Sequence, residues 1–328
     1  MLRVVPATGS RLIAALNILH EALSPEERAA RVAQSVQEAQ EGELDLSRLL
    51  LAEFREKPVG ALLLRMQPHA VAFLWPPIVS ADASHIVASS ATKPSAITAM
   101  EIEDALLQAA IQRLDESNAR IAQALLELNQ SREQAALSRN GFNRLTDLTF
   151  LEHRITVHRQ TKDRTNDALK LRLTHIVYRR SRNRLRFANV IEQTYHGSLD
   201  CPEMNGIRSA SQSLNVYAES GPVVPDLWRV YRQDGHDVGV ILVVGRPEQN
   251  TWEVIYLGVV ESARRCGVAR IMLRDVLNVA RETQIERLLI VVDARNRPAI
   301  QLYESLGFKS FDERAAYVRL KDGQETKD

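Results

Sequence analysis

Residues 264–269 read Arg-Arg-Cys-Gly-Val-Ala and join an apolar strand, Val254–Val260, to a helix. Small residues at such a turn, Gly267 and Ala269, let a ligand come close to the main chain. The first N–H groups of a helix have no intrahelical partner and lie at the positive end of its dipole. Arg264 and Arg265 add charge beside them. Together these residues describe an anion site suited to a pyrophosphate. The following helix carries Ala269, Met272, Leu273, Val276 and Ala280 at apolar helical spacing. Arg270, Arg274, Asp275, Asn278 and Arg281 fall on its polar face. Cys266 stands inside the turn, where a thiol can have a lowered pKa. It reads either as a bystander or as a reactive thiol.

These residues need elements to hold them, and the chain shows the same plan twice. Leu51–Met66 and Trp228–Val244 each read as a hairpin, the second with Asp234-Gly235 at its turn. A further strand follows in each half, Ala70–Val79 and Trp252–Val260. Then comes an amphipathic helix, Met100–Glu116 and Ala269–Glu282, and a strand, Ile121–Leu128 and Arg287–Val292. A short helix ends in Gly-Phe at Gly141-Phe142 and Gly307-Phe308, and a last strand closes each half, Leu145–Leu151 and Ala315–Leu320. The expected fold class is α/β (α+β): two tandem domains, each a mixed, largely antiparallel sheet flanked by helices. Their expected ranges are 1–155 and 170–328, with a polar linker over 156–169.

The stretch 264–269 resembles the Arg/Gln-x-x-Gly-x-Gly/Ala signature of the GCN5-related N-acetyltransferases, and Val291–Phe308 resembles the later motif of the same family. Asn296, Ala299, Tyr303, Leu306, Gly307 and Phe308 stand in matching places. The tandem plan, with the intact half second, resembles the mycothiol-synthase branch of that family, which implies a small aminosugar–thiol acceptor. The resemblance implies acetyl-CoA as co-substrate and no metal. It assigns the pyrophosphate to main-chain N–H groups of Arg265, Gly267, Val268, Ala269 and Arg270. It assigns the pantetheine arm to main-chain groups of Leu257 and Val259, whose strand splays from its neighbour. The Val259 N–H would polarise the thioester carbonyl.

Transfer to an amine also needs a neutral nucleophile, although a lysine-type amine has a pKa of about 10.4. The leaving thiolate benefits from a proton. By resemblance Tyr303 is the acid; the alternative is a helix-packing residue. Glu253 is the base by resemblance; the alternative is a solvated strand end. Tyr256 lies on the face opposite Glu253 unless a bulge intervenes. Asn296 binds the pantetheine arm, caps its helix, or does both. Cys201 has no evident partner, and His196 and His236 read as substrate contacts or as surface or packing residues.

The first half lacks the cradle: residues 80–100 hold no glycine. Aligning Gly141 with Gly307 puts Leu137 at the place of Tyr303 and Gln130 at that of Asn296. This half is expected to pack or to shape an acceptor pocket, with Ser80–Ser95 as a mobile loop. The chain has 42 Lys and Arg against 41 Asp and Glu, a net charge of +1, so no global field draws it to nucleic acid. The basic run Arg172–Arg186 reads as a solvated face or as a receiver of acidic ligands. Two cysteines form no disulfide framework, and no Cys/His spacing suits zinc. No apolar run reaches membrane length, and the start lacks a signal core, so a cytoplasmic location is expected. The expected function is N-acetyl transfer to a small-molecule or peptide amine by the second half. The alternative is a non-catalytic acyl-CoA-binding sensor or interaction module.

Overall fold

The computed structural model describes residues 1–42, 44–67, 70–81, 87–88, 97–155, 171–205 and 207–321. The chain forms two compact units, Met1–Leu145 with Ala315–Glu325, and Thr146–Arg314. The expected linker, 156–169, lies outside the described residues, as do 82–86 and 89–95 of the expected loop.

Unit 1 runs β1 (Leu2–Pro6), α1 (Ser10–Leu19), α2 (Pro25–Gln40), β2 (Leu49–Phe54), β3 (Lys57–Gln67) and β4 (Val71–Val79). The short strands β5 (Val87–Ala88) and β6 (Ile97–Thr98) follow, then α3 (Ala99–Asp115), β7 (Ile121–Glu127) and α4 (Ser131–Arg139). Its main sheet has the order β1-β2-β3-β4-β7, antiparallel except for the parallel pair β4–β7. Leu50, Ala52, Leu62 and Leu64 pack under α3 and α4, while Leu49, Leu51, Ala61 and Leu63 pack under α1 and α2. Burial on both faces explains why β2 and β3 read as continuous apolar runs.

Unit 2 takes β8 (Asn143–Arg154) from Thr146 onward, then β9 (Thr174–Val177), α5 (Arg180–Tyr195), α6 (Ala210–Glu219), β10 (Arg229–Gln233) and β11 (His236–Arg246). It continues with β12 (Thr251–Val259), α7 (Val268–Glu282), β13 (Arg287–Asp293), α8 (Arg297–Ser305) and the start of β14 (Lys309–Leu320). The sheet order is β8-β13-β12-β11-β10-β9, with only β12–β13 parallel. Helices α7 and α8 cover one face and α5 and α6 the other. The β10–β11 turn at Asp234-Gly235 has positive φ at both residues, 48° and 88°, as its sequence predicts. In α7 the buried stripe also includes Ile271 and Leu277, and Ala269 is only half-buried.

The closing strands are exchanged relative to the sequence expectation. Thr149–Arg154 pairs with Arg287–Val292 of β13, and Leu151 enters the unit 2 core. Ala315 and Tyr317 of β14 enter the unit 1 core, and β14 lies beside β7. Arg319 grips Asp115 at 2.9 and 3.2 Å, and the Lys321 ammonium donates to the Asp115 and Ser117 carbonyls. An alternating strand specifies which face is apolar, not which sheet edge it joins.

One close approach ties the site strand to its helix. A Cβ on Gly258 would sit 2.6 Å from Thr194 Oγ1 and 2.7 Å from Thr194 Cβ. Gly258→Ala is therefore expected to destabilise unit 2 by about 1–3 kcal/mol through overpacking. A lower urea midpoint at unchanged slope would show it; an unchanged midpoint would mean that α5 can yield.

Candidate active site

The turn before α7 is shaped to receive an anion. Arg265 and Gly267 both have positive φ, 62° and 87°. Gly267 is the N-cap of α7, with no side chain to cap it and no acid in the first turn. The first intrahelical bond runs from the Ile271 N–H to the Gly267 carbonyl, so the Val268, Ala269 and Arg270 N–H groups remain open. A Cβ at Gly267 would meet only Leu171 Cδ1, at 3.8 Å. The Cys266 thiol is exposed and donates to the Arg264 carbonyl at 3.4 Å.

Arg264 serves this turn from behind. Its guanidinium donates to the carbonyls of Val259, Gly197, Thr194 and His196 at 2.5–3.1 Å. It ties the end of β12 to the end of α5 and contributes charge rather than a side-chain contact aimed into the cradle. Elsewhere in the basic run, Arg184 donates to Ser211 and Asn215 of α6, and Arg186 forms a fork with Asp237 at 2.8 Å. Those two arginines bind the unit itself.

Strand β12 leaves its parallel neighbour part-way. Pairing with β13 runs from Thr251↔Arg287 to Val254↔Ile290 and stops, while β13 continues along β8 to Asp293. Opposite Leu242 and Val243 the β11 register shifts, leaving Ile255 as an extra residue. Such a bulge bends a strand and increases its twist. The Val260 N–H donates to Val238 of β11 at 3.0 Å. By alternation, main-chain groups of Leu257 and Val259 face the side on which β13 has parted. The splay expected from the resemblance is thus present, and its cause is a bulge.

The bulge also settles the faces. Ile255 and Tyr256 both pack toward α5 and α6, so Tyr256 shares the face of Glu253. The Tyr256 hydroxyl is 2.6 Å from Thr194 Oγ1, and its ring meets Tyr217 and Tyr195 at 5.4 and 6.4 Å. Glu253 sits where β12 still pairs with β13, and Arg246 donates to it at 3.0 and 2.6 Å. Tyr303, on α8, is 5% exposed and packs on Phe308. Among the described residues no group hydrogen-bonds its hydroxyl. Burial, with the nearby Asp200 charge, pushes the phenol well above its ordinary range and keeps it protonated. Asn296 caps α8, its Oδ1 accepting from the Ala299 N–H at 3.3 Å, which leaves its amide N–H groups for a ligand.

Sequence reading missed the group of charges at the end of β13. Asp293 is fully buried. It accepts from Thr146 Oγ1 at 2.7 Å, from the Cys201 N–H at 3.1 Å and from the Arg295 guanidinium. Arg295 in turn forks onto Glu203 at 2.6 and 2.9 Å. Burial alone would raise the Asp293 pKa; these hydrogen bonds, led by Arg295, hold it below the usual value. Asp200 accepts from the Asp293 N–H at 2.8 Å. Burial and then the Asp293 charge raise its pKa. Asp200, Cys201 and Glu203 lie far from Asp293 in the chain, with no motif to join them.

Unit 1 repeats the scaffold with different residues at the matching places. Its β4 also leaves β7, after Phe73↔Gln123, but Pro76 and Pro77 follow and have no N–H to offer. Its α3 begins at Thr98 in a full capping box with Glu101, so an acid occupies the first turn. Gln130 stands at the N-cap position of α4 without a side-chain capping bond, at φ −78° and ψ 56° beside −79° and 63° for Asn296. Phe142 N–H bonds the Leu137 carbonyl as Phe308 N–H bonds that of Tyr303, both at 3.1 Å. The two alignments read from the sequence therefore coincide with structural equivalence.

Residues 197–308 match the model of the Acetyltransferase (GNAT) family. This stretch holds the cradle, the splayed strand and α8. The chain is similar to the mycothiol acetyltransferase of Thermobifida fusca, 34% identical over 87 residues, which is 26% of each chain. It is also similar to that of Thermomonospora curvata, 39% identical over 59 residues, 18% of this chain and 20% of the relative. Both matches thus span about a quarter or less of the relative's length. Among solved structures, a GCN5-related N-acetyltransferase from Sphaerobacter thermophilus shares the fold. Its TM-score is 0.60 at 14% identity, covering 99% of this chain and 97% of that one.

Proposed function

We propose that unit 2 transfers an acetyl group from acetyl-CoA to a primary amine. The observation that carries this is an uncapped, acid-free helix N-terminus directly after a strand that has parted from its parallel neighbour. Open N–H groups of Val268, Ala269 and Arg270 fit a pyrophosphate, with Gly267 keeping the approach clear and Arg265 beside it. Main-chain groups of Leu257 and Val259 fit the amides of a pantetheine arm. Acetyl-CoA supplies the thioester. The Val259 N–H faces the place where oxyanion charge develops, a donor worth about 3 kcal/mol in comparable sites. Tyr303 holds a proton for the leaving thiolate. Asn296 donates its remaining amide hydrogens to the coenzyme arm.

The acceptor is an amine on a small molecule or peptide. Likeness to mycothiol acetyltransferases over a quarter of the chain supports an aminosugar–thiol conjugate as the narrower reading. Titration of acetyl-CoA into the protein, followed by an acceptor screen for coenzyme release, tests the proposal; a protein without acetyl-CoA affinity overturns it. Tyr303→Phe is expected to keep acetyl-CoA binding and lose roughly 10²-fold or more in turnover. Binding with no turnover in either form would leave an acyl-CoA sensor.

A further inference from the structure

The geometry points to Asp200 as the carboxylate that receives the acceptor ammonium and takes its proton. This rests on the acetyltransferase reading and deepens it by naming the base. Asp200 lies on the connection from α5 to α6 and is anchored at the end of β13, where its Oδ1 accepts the Asp293 N–H at 2.8 Å. That point is the mouth of the splay, just past the place where β12 and β13 part. Tyr303 arrives there from the α8 face and Tyr256 from the α5 face, and the charge of Asp200 acts on both hydroxyls. Tyr303 is buried, and among the described residues no group hydrogen-bonds its hydroxyl.

The other acids nearby are committed. Asp293 is saturated by Thr146, Arg295 and the Cys201 N–H, and Glu203 by Arg295. Glu253 is held by Arg246 in the part of β12 that still pairs with β13. Among the described residues only the Asp293 N–H hydrogen-bonds the Asp200 carboxylate, which leaves its second oxygen for a ligand. Burial of the carboxyl, with Asp293 close by, raises its affinity for a proton, which suits a base. The charges that face it are Asp293 and Arg295, from β13 and the turn after it, and the neighbouring Cys201 thiol lies on its own connection. Tyr303 of α8 and Tyr256 of β12 complete the set, with Arg264 acting on Tyr256.

The step balances as follows. Asp200 takes one proton from R–NH3⁺, leaving a neutral amine. The amine nitrogen forms a bond to the thioester carbon, and the C–S bond breaks with its electron pair on sulfur. The second amine proton leaves to solvent, the thiolate takes the Tyr303 proton, solvent restores that proton, and Asp200 gives its own to solvent, so one proton is released per turnover. Protonating Asp200 removes the negative charge that opposes ionisation of Tyr303, so the base step primes the acid step.

The test uses the full chain, acetyl-CoA, and n-butylamine as a primary-amine probe small enough to need no dedicated pocket. Asp200→Asn keeps an acceptor for the Asp293 N–H. It is expected to retain acetyl-CoA affinity, to lose about 10²-fold or more in kcat, and to flatten the acidic limb of the pH profile of kcat/KM. Asp200→Glu should restore part of the rate and that limb. The ultraviolet titration of Tyr303, read against Tyr303→Phe, should move to lower pH in Asp200→Asn. An Asp200→Asn protein with wild-type kcat and an unchanged acidic limb overturns the assignment while the acetyltransferase reading stands. Failure of the wild type to bind acetyl-CoA overturns both. Wild-type protein that binds acetyl-CoA yet gives no aminolysis above background overturns the base assignment.

Discussion

Gly267→Glu is expected to lower acetyl-CoA affinity by about 100-fold or more, the worth of roughly two charge-assisted hydrogen bonds at about 1.5 kcal/mol each. The glutamate would carry its charge to the open N–H groups of Val268, Ala269 and Arg270, where an incoming pyrophosphate would be repelled. The fold should survive. A Cβ there meets only Leu171 at 3.8 Å, and an L-residue at φ 87° costs about 1–2 kcal/mol. Gly267→Asn separates strain from charge, because asparagine tolerates the left-handed region and is neutral. Calorimetric titration should find Asn close to wild type and Glu without measurable affinity. Equal losses in both would assign the effect to backbone shape, and no loss in either would remove the cradle from coenzyme binding.

Asp293→Ala is expected to be the most damaging single change to stability, about 3–5 kcal/mol, because it removes the centre of a buried charged network. The Thr146 hydroxyl, the Cys201 N–H and the Arg295 guanidinium would lose a shared partner, and the Arg295 N–H just before α8 would lose its acceptor. Urea unfolding reads this directly, and a loss under about 1 kcal/mol would contradict the account. Acid dependence supplies a second check. Asp293 has its folded pKa held below the unfolded value of 3.8, so it contributes stability above that value. That contribution disappears as pH falls through the folded pKa. Asp200 has the opposite shift and works against folding once ionised. Asp293→Asn should therefore lose stability at neutral pH and show a shallower acid decline than wild type. Parallel pH curves for the two would place the acid sensitivity elsewhere.

The exchange of β8 and β14 bears on both experiments. Thr146 of β8 holds Asp293, so a strand that follows the first half in the chain completes the charged network of unit 2. Truncating the chain after residue 155 or starting it at 170 would separate each unit from a strand it needs.

Local chemistry was legible in the sequence wherever neighbours in the chain do the work. Gly267 before an amphipathic helix announced a helix start with open N–H groups, because open N–H groups and a missing Cβ are properties of consecutive residues. Asn296, Tyr303 and Gly307 were legible for the same reason: they lie on one short helix and its caps. Asp234-Gly235 marked its turn. The absence of glycine after Val79 marked unit 1 as lacking a cradle, and the capped helix start at Thr98 and Glu101 agrees. What only the tertiary structure decided depends on residues that meet across long stretches of chain. A bulge at Ile255 turned Tyr256 onto the face of Glu253, and bulge position follows from strand register. Exchange of the closing strands followed from the choice of sheet edge, which alternation does not encode. The network of Asp200, Cys201, Glu203, Asp293 and Arg295 joins residues more than 90 positions apart. A carboxylate becomes a base or a strut through burial and partners, and both are set when the sheet and its connections close around it.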